Sequence, residues 1–142
     1  MKIEIASQFS EELCAAFQRL IPQLTENHPP PTADEVAAFL EDETSTLIIA
    51  RNDNREIIGS LAIAVYHVPT GVRAIIEDVV VDLTARRKGL GEALMMKAIE
   101  VARAKNAESV SLTSNPIREE ANRLYLRMGF VKRETNNYQI KL

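Results

Sequence analysis

Residues 79–92 read Val79-Val80-Val81-Asp82-Leu83-Thr84-Ala85-Arg86-Arg87-Lys88-Gly89-Leu90-Gly91-Glu92. Three β-branched residues run into a polar turn, three cations follow, and two glycines then open an apolar-periodic stretch. A β-branched run suits the interior of a sheet. Leu90, Leu94, Ala98, Val101 and Ala102 then share one face of a helix expected over residues 89–105. A strand that feeds a helix is the first half of a crossover, and residues 110–113 offer the second strand. Ligands of such sheets collect beyond the carboxyl ends of the strands, where the helix begins.

The turn has the chemistry of an anion site. Gly89 and Gly91 carry no Cβ, so a bulky group can approach the backbone closely. The first-turn N–H groups, from Gly89 through Leu90 to Glu92, have no intrahelical partner, and the helix dipole favours negative charge there. Arg86, Arg87 and Lys88 add three positive charges to a chain whose net charge is −3. A pyrophosphate would be held well, although a glycine-rich turn with a solvated basic run is the plainer reading of this motif alone. A P-loop is excluded by the lack of Gly-Lys-Ser/Thr, and a dinucleotide fingerprint would need a glycine where Leu94 stands.

Working outward, a short first strand is expected over residues 2–6. A helix over 10–25 follows, capped by Ser10, with Leu13, Phe17, Leu20, Ile21 and Leu24 inward and Pro22 bending or ending it. Pro29, Pro30 and Pro31 impose an extended linker. Thr32-Ala33-Asp34-Glu35 reads as a capping box for a short helix with Val36, Phe39 and Leu40 inward. The period then changes to that of strands at 46–50 and 57–66, joined by the turn-forming Arg51-Asn52-Asp53-Asn54. A third strand spans 74–81, a second C-terminal helix 119–128 carries Ala121, Leu124 and Met128 on one face, and segments 130–132 and 138–142 are expected to close the sheet as a final pair. The sum is one α/β domain over residues 1–142 with a mixed sheet, antiparallel first and parallel across the crossover.

Composition narrows the function. Hydrophobic residues at 46% and charged residues at 26% of 142 are the balance of a globular domain able to bury its own core. The acidic net charge argues against nucleic acid as a partner. No stretch approaches the roughly 18–20 apolar residues of a membrane span, and the N-terminus lacks a cleavage signal, so no membrane association and a cytoplasmic location are expected. Cys14 is the single cysteine and reads as a small core thiol among Leu13, Ala15, Ala16 and Phe17. With only His28 and His67 beside it, neither a zinc site nor a cysteine–histidine nucleophile is expected, and no metal is called for.

The pair Val79-x-Val81 and Arg86-x-x-Gly89-x-Gly91 resembles the acetyl-CoA signature of the GNAT (GCN5-related N-acetyltransferase) superfamily. A second signature agrees: Ser114-Asn115-Pro116, Ala121, then Leu124-Tyr125-x-x-x-Gly129-Phe130. Each is moderately specific alone; together, on a strand–helix–strand–helix order, they are strong. The match covers about residues 45–133. The resemblance implies a sheet splayed between its fourth and fifth strands, flanked by about four helices. The pantetheine arm of acetyl-CoA would lie in the wedge, paired with the backbone around Val79, Val80 and Val81 as an added strand. The pyrophosphate would rest on the amides of 87–92, with Asn115 toward the cofactor's far side. The segment Ile76-Glu77-Asp78-Val79-Val80-Val81 also looks like the matching strand of glucosamine-6-phosphate N-acetyltransferases.

The implied reaction is direct attack by a primary amine, of a small metabolite first of all, on acetyl-CoA in a ternary complex. An amine of pKa ~10 is protonated at neutral pH, so a base or a water chain must take a proton. Regular strand alternation would put Glu77 on the face of Val79 and Val81, which makes it the first candidate, ahead of Asp78. The Val79 N–H is the expected donor to the developing oxyanion. Tyr125 matches the family's tyrosine that assists the departing thiolate. A peptide or protein acetyltransferase, and a domain that binds acyl-CoA without turnover, are the alternatives. The acceptor wall is expected from the loops 26–32 and 134–137, where an open groove would suit a polypeptide and a closed pocket a metabolite. Family members are often dimers, and the apolar segment 138–142 offers an edge that two copies could share.

Overall fold

A computed structural model describes residues 1–142. The chain divides into two compact units, Met1–Leu112 and Thr113–Leu142. The first holds a five-stranded sheet in the order β1 (Lys2–Ala6), β2 (Ser45–Arg51), β3 (Ile57–Val68), β4 (Gly71–Val81), β5 (Ser109–Ser111), together with α1 (Glu11–Leu24), α2 (Ala33–Glu41) and α3 (Leu90–Ala104). The pairs β1–β2, β2–β3 and β3–β4 are antiparallel, and β4–β5 is parallel. This is the mixed sheet expected from the crossover. No helix is long and apolar enough to cross a membrane.

Local chemistry explains most boundaries. Ser10 caps α1 by accepting from the Leu13 N–H. Thr32 and Glu35 form the full capping box of α2, each side chain bonding the other's backbone N–H. Asn52 builds the β2–β3 turn, its side-chain oxygen accepting from the N–H groups of Asn54 and Glu56 at 2.9 Å each. Pro22 does not end α1, which closes two residues later at Leu24. There the Thr25 N–H still reaches the Ile21 carbonyl at 2.9 Å, so helical bonding continues past the proline, which itself has no N–H to give.

The sheet carries helices on both faces, and the strand register says which side chains face which helix. Leu47 and Ile49 of β2 stand opposite Ala62 and Ser60 of β3, which in turn stand opposite Glu77 and Val80 of β4. Leu13, Ala16 and Leu20 of α1 and Val36 of α2 pack with Leu47, Ile49 and Val80 of that face. Gly59, Leu61 and Ile63 point the other way with Val81 and Ile76. That face meets α3, for a Cβ added at Gly59 would lie 3.3 Å from a Leu94 methyl. Every inward residue expected of α3 is buried, and Met95 joins them.

One register step contradicts the sequence reading. Between the pairs Ser60–Val80 and Ala62–Glu77, β3 advances by two residues and β4 by three. Asp78 and Val79 therefore share Leu61, a β-bulge, with Asp78 at φ 53°. The extra residue reverses the alternation. Glu77 lies on the α1/α2 face with Val80, and Val81 lies on the α3 face, so Glu77 and Val81 do not share a side.

The second unit contains α4 (Glu119–Arg127) and an extension without regular structure. Tyr125 is its buried helical side chain, with Ala121, Leu124 and Met128 half-buried beside it in sequence. The expected final strand pair at 130–132 and 138–142 is not formed. Val131, Tyr138 and Ile140 are each more than four-fifths exposed, and alternation with nothing to cover its apolar face does not make a strand.

The left-handed Asp78 yields a stability test. Aspartate tolerates this region better than a branched residue, for which it costs about 1–2 kcal/mol. In urea unfolding, Asp78→Val should lose about that much, while Asp78→Gly should stay within ~0.5 kcal/mol of the parent or exceed it.

Candidate active site

The parallel pairing of β4 with β5 consists of Arg73–Ser109, Ala74–Val110 and Ile75–Ser111 and stops there. β4 continues to Val81, so its last six residues have a β3 neighbour on one side and no β5 pairing on the other. A strand edge of this kind presents backbone donors and acceptors to an extended ligand. The Val81 carbonyl is already engaged: Arg86 donates to it from Nε at 3.0 Å. Arg86 thus folds back on the strand it follows.

Past Val81 the chain makes a short 3-10 turn (Leu83–Ala85) and enters α3 at Gly89. Arg87 and Gly89 both take left-handed backbone, at φ 65° and 78°. No heavy atom lies within 4 Å of where a Gly89 Cβ would stand. The space before the helix terminus is therefore open, and Arg86, Arg87 and Lys88 are exposed around it. Leu90 is buried and holds the first turn to the core; Gly91 is half-buried and Glu92 exposed. The Ala93 N–H takes the Gly89 carbonyl at 3.1 Å, which leaves the amides of Leu90, Gly91 and Glu92 as the unpaired first turn. An open, glycine-started helix terminus with exposed cations around it has the chemistry of an anion site.

Asp82 and Ser60 are polar residues buried as a whole in the core unit. Asp82 accepts from the Thr84 N–H and hydroxyl at 3.0 and 2.9 Å and from Arg19 Nε at 3.4 Å. Burial raises its pKa, but these donors outweigh it and hold the carboxyl below the usual aspartate range. Arg19 also donates through Nη2 to the Ile57 carbonyl. The sequence reading did not single out Arg19 or Asp82, whose partners lie far apart along the chain.

Glu77 is exposed at the strand edge, with its carboxyl pushed above the ordinary glutamate range by partial burial and then by the charge of Asp78. Such a group holds a proton more firmly than a free glutamate. In the second unit, the Tyr125 ring is 8% exposed and meets Phe130 edge-on, with centroids 6.1 Å apart. Burial lifts its phenol above the ordinary tyrosine range, against a lesser opposite pull from Arg118. The phenol therefore carries its proton at neutral pH. Asn115 is exposed, and its side-chain oxygen accepts from the Ile117 N–H at 3.0 Å while its carbonyl accepts from Arg118 N–H and Asn122 Nδ2. It thereby shapes the turn before α4. The Ser114 Oγ beside it is buried without a partner.

Comparison with known proteins follows the same lines. Residues 11–130 match the model of the acetyltransferase (GNAT) family. A glucosamine 6-phosphate N-acetyltransferase of Trypanosoma brucei brucei is 34% identical over 118 residues, covering 78% of each chain. Among solved structures, an acetyltransferase of Trypanosoma brucei superposes with a TM-score of 0.77 at 27% identity over 99% of both chains. An aminoglycoside acetyltransferase from an uncultured soil metagenomic sample, in complex with sisomicin, reaches 0.85 at 19% identity, covering 99% of this chain and 95% of its own, and shares the fold.

A valine at position 89 would meet nothing in the protein, so its steric effect falls on whatever approaches α3. Gly89→Val should remain folded with a modest loss for its left-handed backbone, about 1–2 kcal/mol. Calorimetry should find its acetyl-CoA affinity reduced at least tenfold, on the order of 1.4 kcal/mol or more. Unchanged affinity would exclude the first turn of α3 as the phosphate site.

Proposed function

The chain belongs to the GNAT acetyltransferase family and is an acetyl-transferring enzyme, and on that premise we propose that it acetylates the primary amine of a small metabolite, with acetyl-CoA as donor. The observation that carries this reading is the continuity of a free strand edge at the end of β4 with the open, glycine-started terminus of α3. An extended arm ending in a pyrophosphate matches that continuity in length order and in charge. We further propose that both compact units serve one catalytic domain over residues 1–142.

For the acceptor, the similarity to a glucosamine 6-phosphate N-acetyltransferase favours an amino sugar phosphate as the first substrate to try. The stretch Ile76-Glu77-Asp78-Val79-Val80-Val81 supports it from within the sequence. The fold relative seen with sisomicin is also named for an amine-bearing sugar.

In this reading the amides of residues 87–92 hold the phosphates, with the exposed Arg86, Arg87 and Lys88 adding long-range attraction. The free edge near Val79 aligns the arm, and the Val79 N–H stabilises charge on the acyl oxygen. Acetyl-CoA supplies an acyl group already activated as a thioester. Glu77 Oε takes the proton of the acceptor amine, directly or through one water, and the raised proton affinity of its carboxyl suits it to that task. The Tyr125 phenol stays protonated and provides an O–H donor for the departing sulfur. Asn115 acts at the level of the turn that leads into α4.

Glu77→Gln should keep acetyl-CoA affinity and lower kcat by roughly 10²–10⁴-fold. The sign of its pH effect follows from the base needing to be unprotonated: wild-type rate should rise with pH through a value above that of free glutamate, and the glutamine variant should lose this limb. A variant within a few-fold of the parent, with its limb intact, would move the base elsewhere.

Tyr125→Phe keeps the ring against Phe130, so the melting temperature should hold. Turnover should fall about ten- to a hundredfold, or ~1.4–2.8 kcal/mol, at nearly constant acetyl-CoA affinity. Activity equal to the parent's would remove Tyr125 from the mechanism.

A further inference from the structure

The turn between β4 and α3 spends its backbone donors in sequence. Asp82 N–H goes to the Ile58 carbonyl of β3 at 2.8 Å, Thr84 N–H to Asp82 Oδ1, and Ala85 N–H to the Asp82 carbonyl at 2.9 Å. Leu83 N–H goes elsewhere: it donates to the side-chain oxygen of Gln23, on α1, at 2.8 Å. Gln23 in turn donates from Nε2 to the Arg19 carbonyl at 3.2 Å, which fixes the amide with its oxygen toward the turn. One helical turn earlier on the same face, Arg19 bonds Asp82 Oδ2 and the Ile57 carbonyl. Thus four successive amides, 82 to 85, are all satisfied, and the chain is held to α1 at two points just before the left-handed Arg87 and Gly89.

We infer that Arg19, Gln23 and Asp82 form a clamp from α1 that sets the path of the phosphate-binding turn, and so act as positioning residues for the donor. The inference rests on the reading of residues 86–92 as the phosphate cradle. α1 is a firm anchor, because Leu13, Ala16 and Leu20, on the face that adjoins Arg19 and Gln23, are buried in the core. Amide groups bind an anion only when they converge, and a small displacement of the turn spoils that convergence without touching any ligand contact. Arg19 is about half exposed and Gln23 half-buried, so neither is needed to fill the core. Each instead has a bond with the turn, Arg19 with Asp82 and Gln23 with Leu83. Arg19 also neutralises the Asp82 carboxylate, which would otherwise stand uncompensated a few residues before a site for phosphates.

The test compares two donors, acetyl-CoA and S-acetylpantetheine, which has the same thioester and arm but no phosphate. In Gln23→Ala and Arg19→Met, the ratio of kcat/KM for acetyl-CoA to that for S-acetylpantetheine should fall about ten- to a hundredfold, carried by a higher KM for acetyl-CoA. Gly89→Val supplies the ratio of a cradle damaged directly. Should Gly89→Val lose the preference while both clamp variants keep the parent's ratio, the clamp is wrong and the cradle stands. Equal losses with both donors would reduce Arg19 and Gln23 to ordinary fold contacts and also overturn it. If Gly89→Val itself keeps the preference, the cradle reading fails and the clamp with it. Gln23→Ala, outside the core, carries the decision if Arg19→Met does not fold.

Discussion

Three residue pairs hold β4 to β5, and the site depends on there being no fourth. Backbone N–H and C=O groups demand partners, and a strand edge left bare is a standing invitation to another strand. β4 meets that demand partly from within. Arg86 takes the Val81 carbonyl, and the bulge at Asp78 and Val79 breaks the even spacing that a foreign strand would need. What remains is a short, irregular edge, fit for a narrow ligand and unfit for a sheet. Had β5 continued beyond Ser111, those same groups would have been consumed in the ladder.

The same strand also separates two kinds of chemistry. Its end leads into cations and helix amides on the side of α3, whereas Glu77 is turned to the side of α1 and α2. A regular strand would have set that carboxylate on the face of Val81, nearer to the turn proposed to hold phosphates. One inserted residue moves a negative charge to the other side of the sheet, where burial and Asp78 raise its proton affinity. The left-handed backbone of Asp78 is the local cost of that placement.

Signals that are local in the chain were readable, and those set by distant partners were not. The caps at Ser10 and Thr32, the Asn52 turn and the inward stripe of α3 each depend on residues a few positions apart. The glycine-opened start of α3 was readable for the same reason. The bulge is different, since it exists only in the count of β4 against β3, and alternation read along β4 alone gave Glu77 the wrong side. An aspartate inside a β-branched run was the one hint, being poor in strands and tolerant of left-handed backbone. Residues 138–142 show the converse error, where a strand-like pattern has no neighbour to satisfy it. Arg19 and Gln23 stand outside the inward stripe read along α1, and the loop they bind lies some sixty positions on.

Burial acts on the two proposed acid–base groups in opposite senses. It raises both pKa values, and for Glu77 this strengthens the base that takes the amine proton. For Tyr125 it weakens the acid. A thiol has a pKa near 8.5 and a free tyrosine one near 10, so full transfer from a buried phenol to a thiolate is uphill by more than ~1.5 units, or about 2 kcal/mol. Tyr125 in its proposed role therefore shares its proton and does not surrender it. A hydrogen bond to a group that gains charge only as the bond breaks is worth more in the transition state than before it. Such a bond to a charged acceptor contributes about 1.5–3 kcal/mol, which is enough for a leaving group that departs readily by itself. The burial that makes Tyr125 a poor acid also keeps it neutral, and only a neutral phenol has a hydrogen to offer.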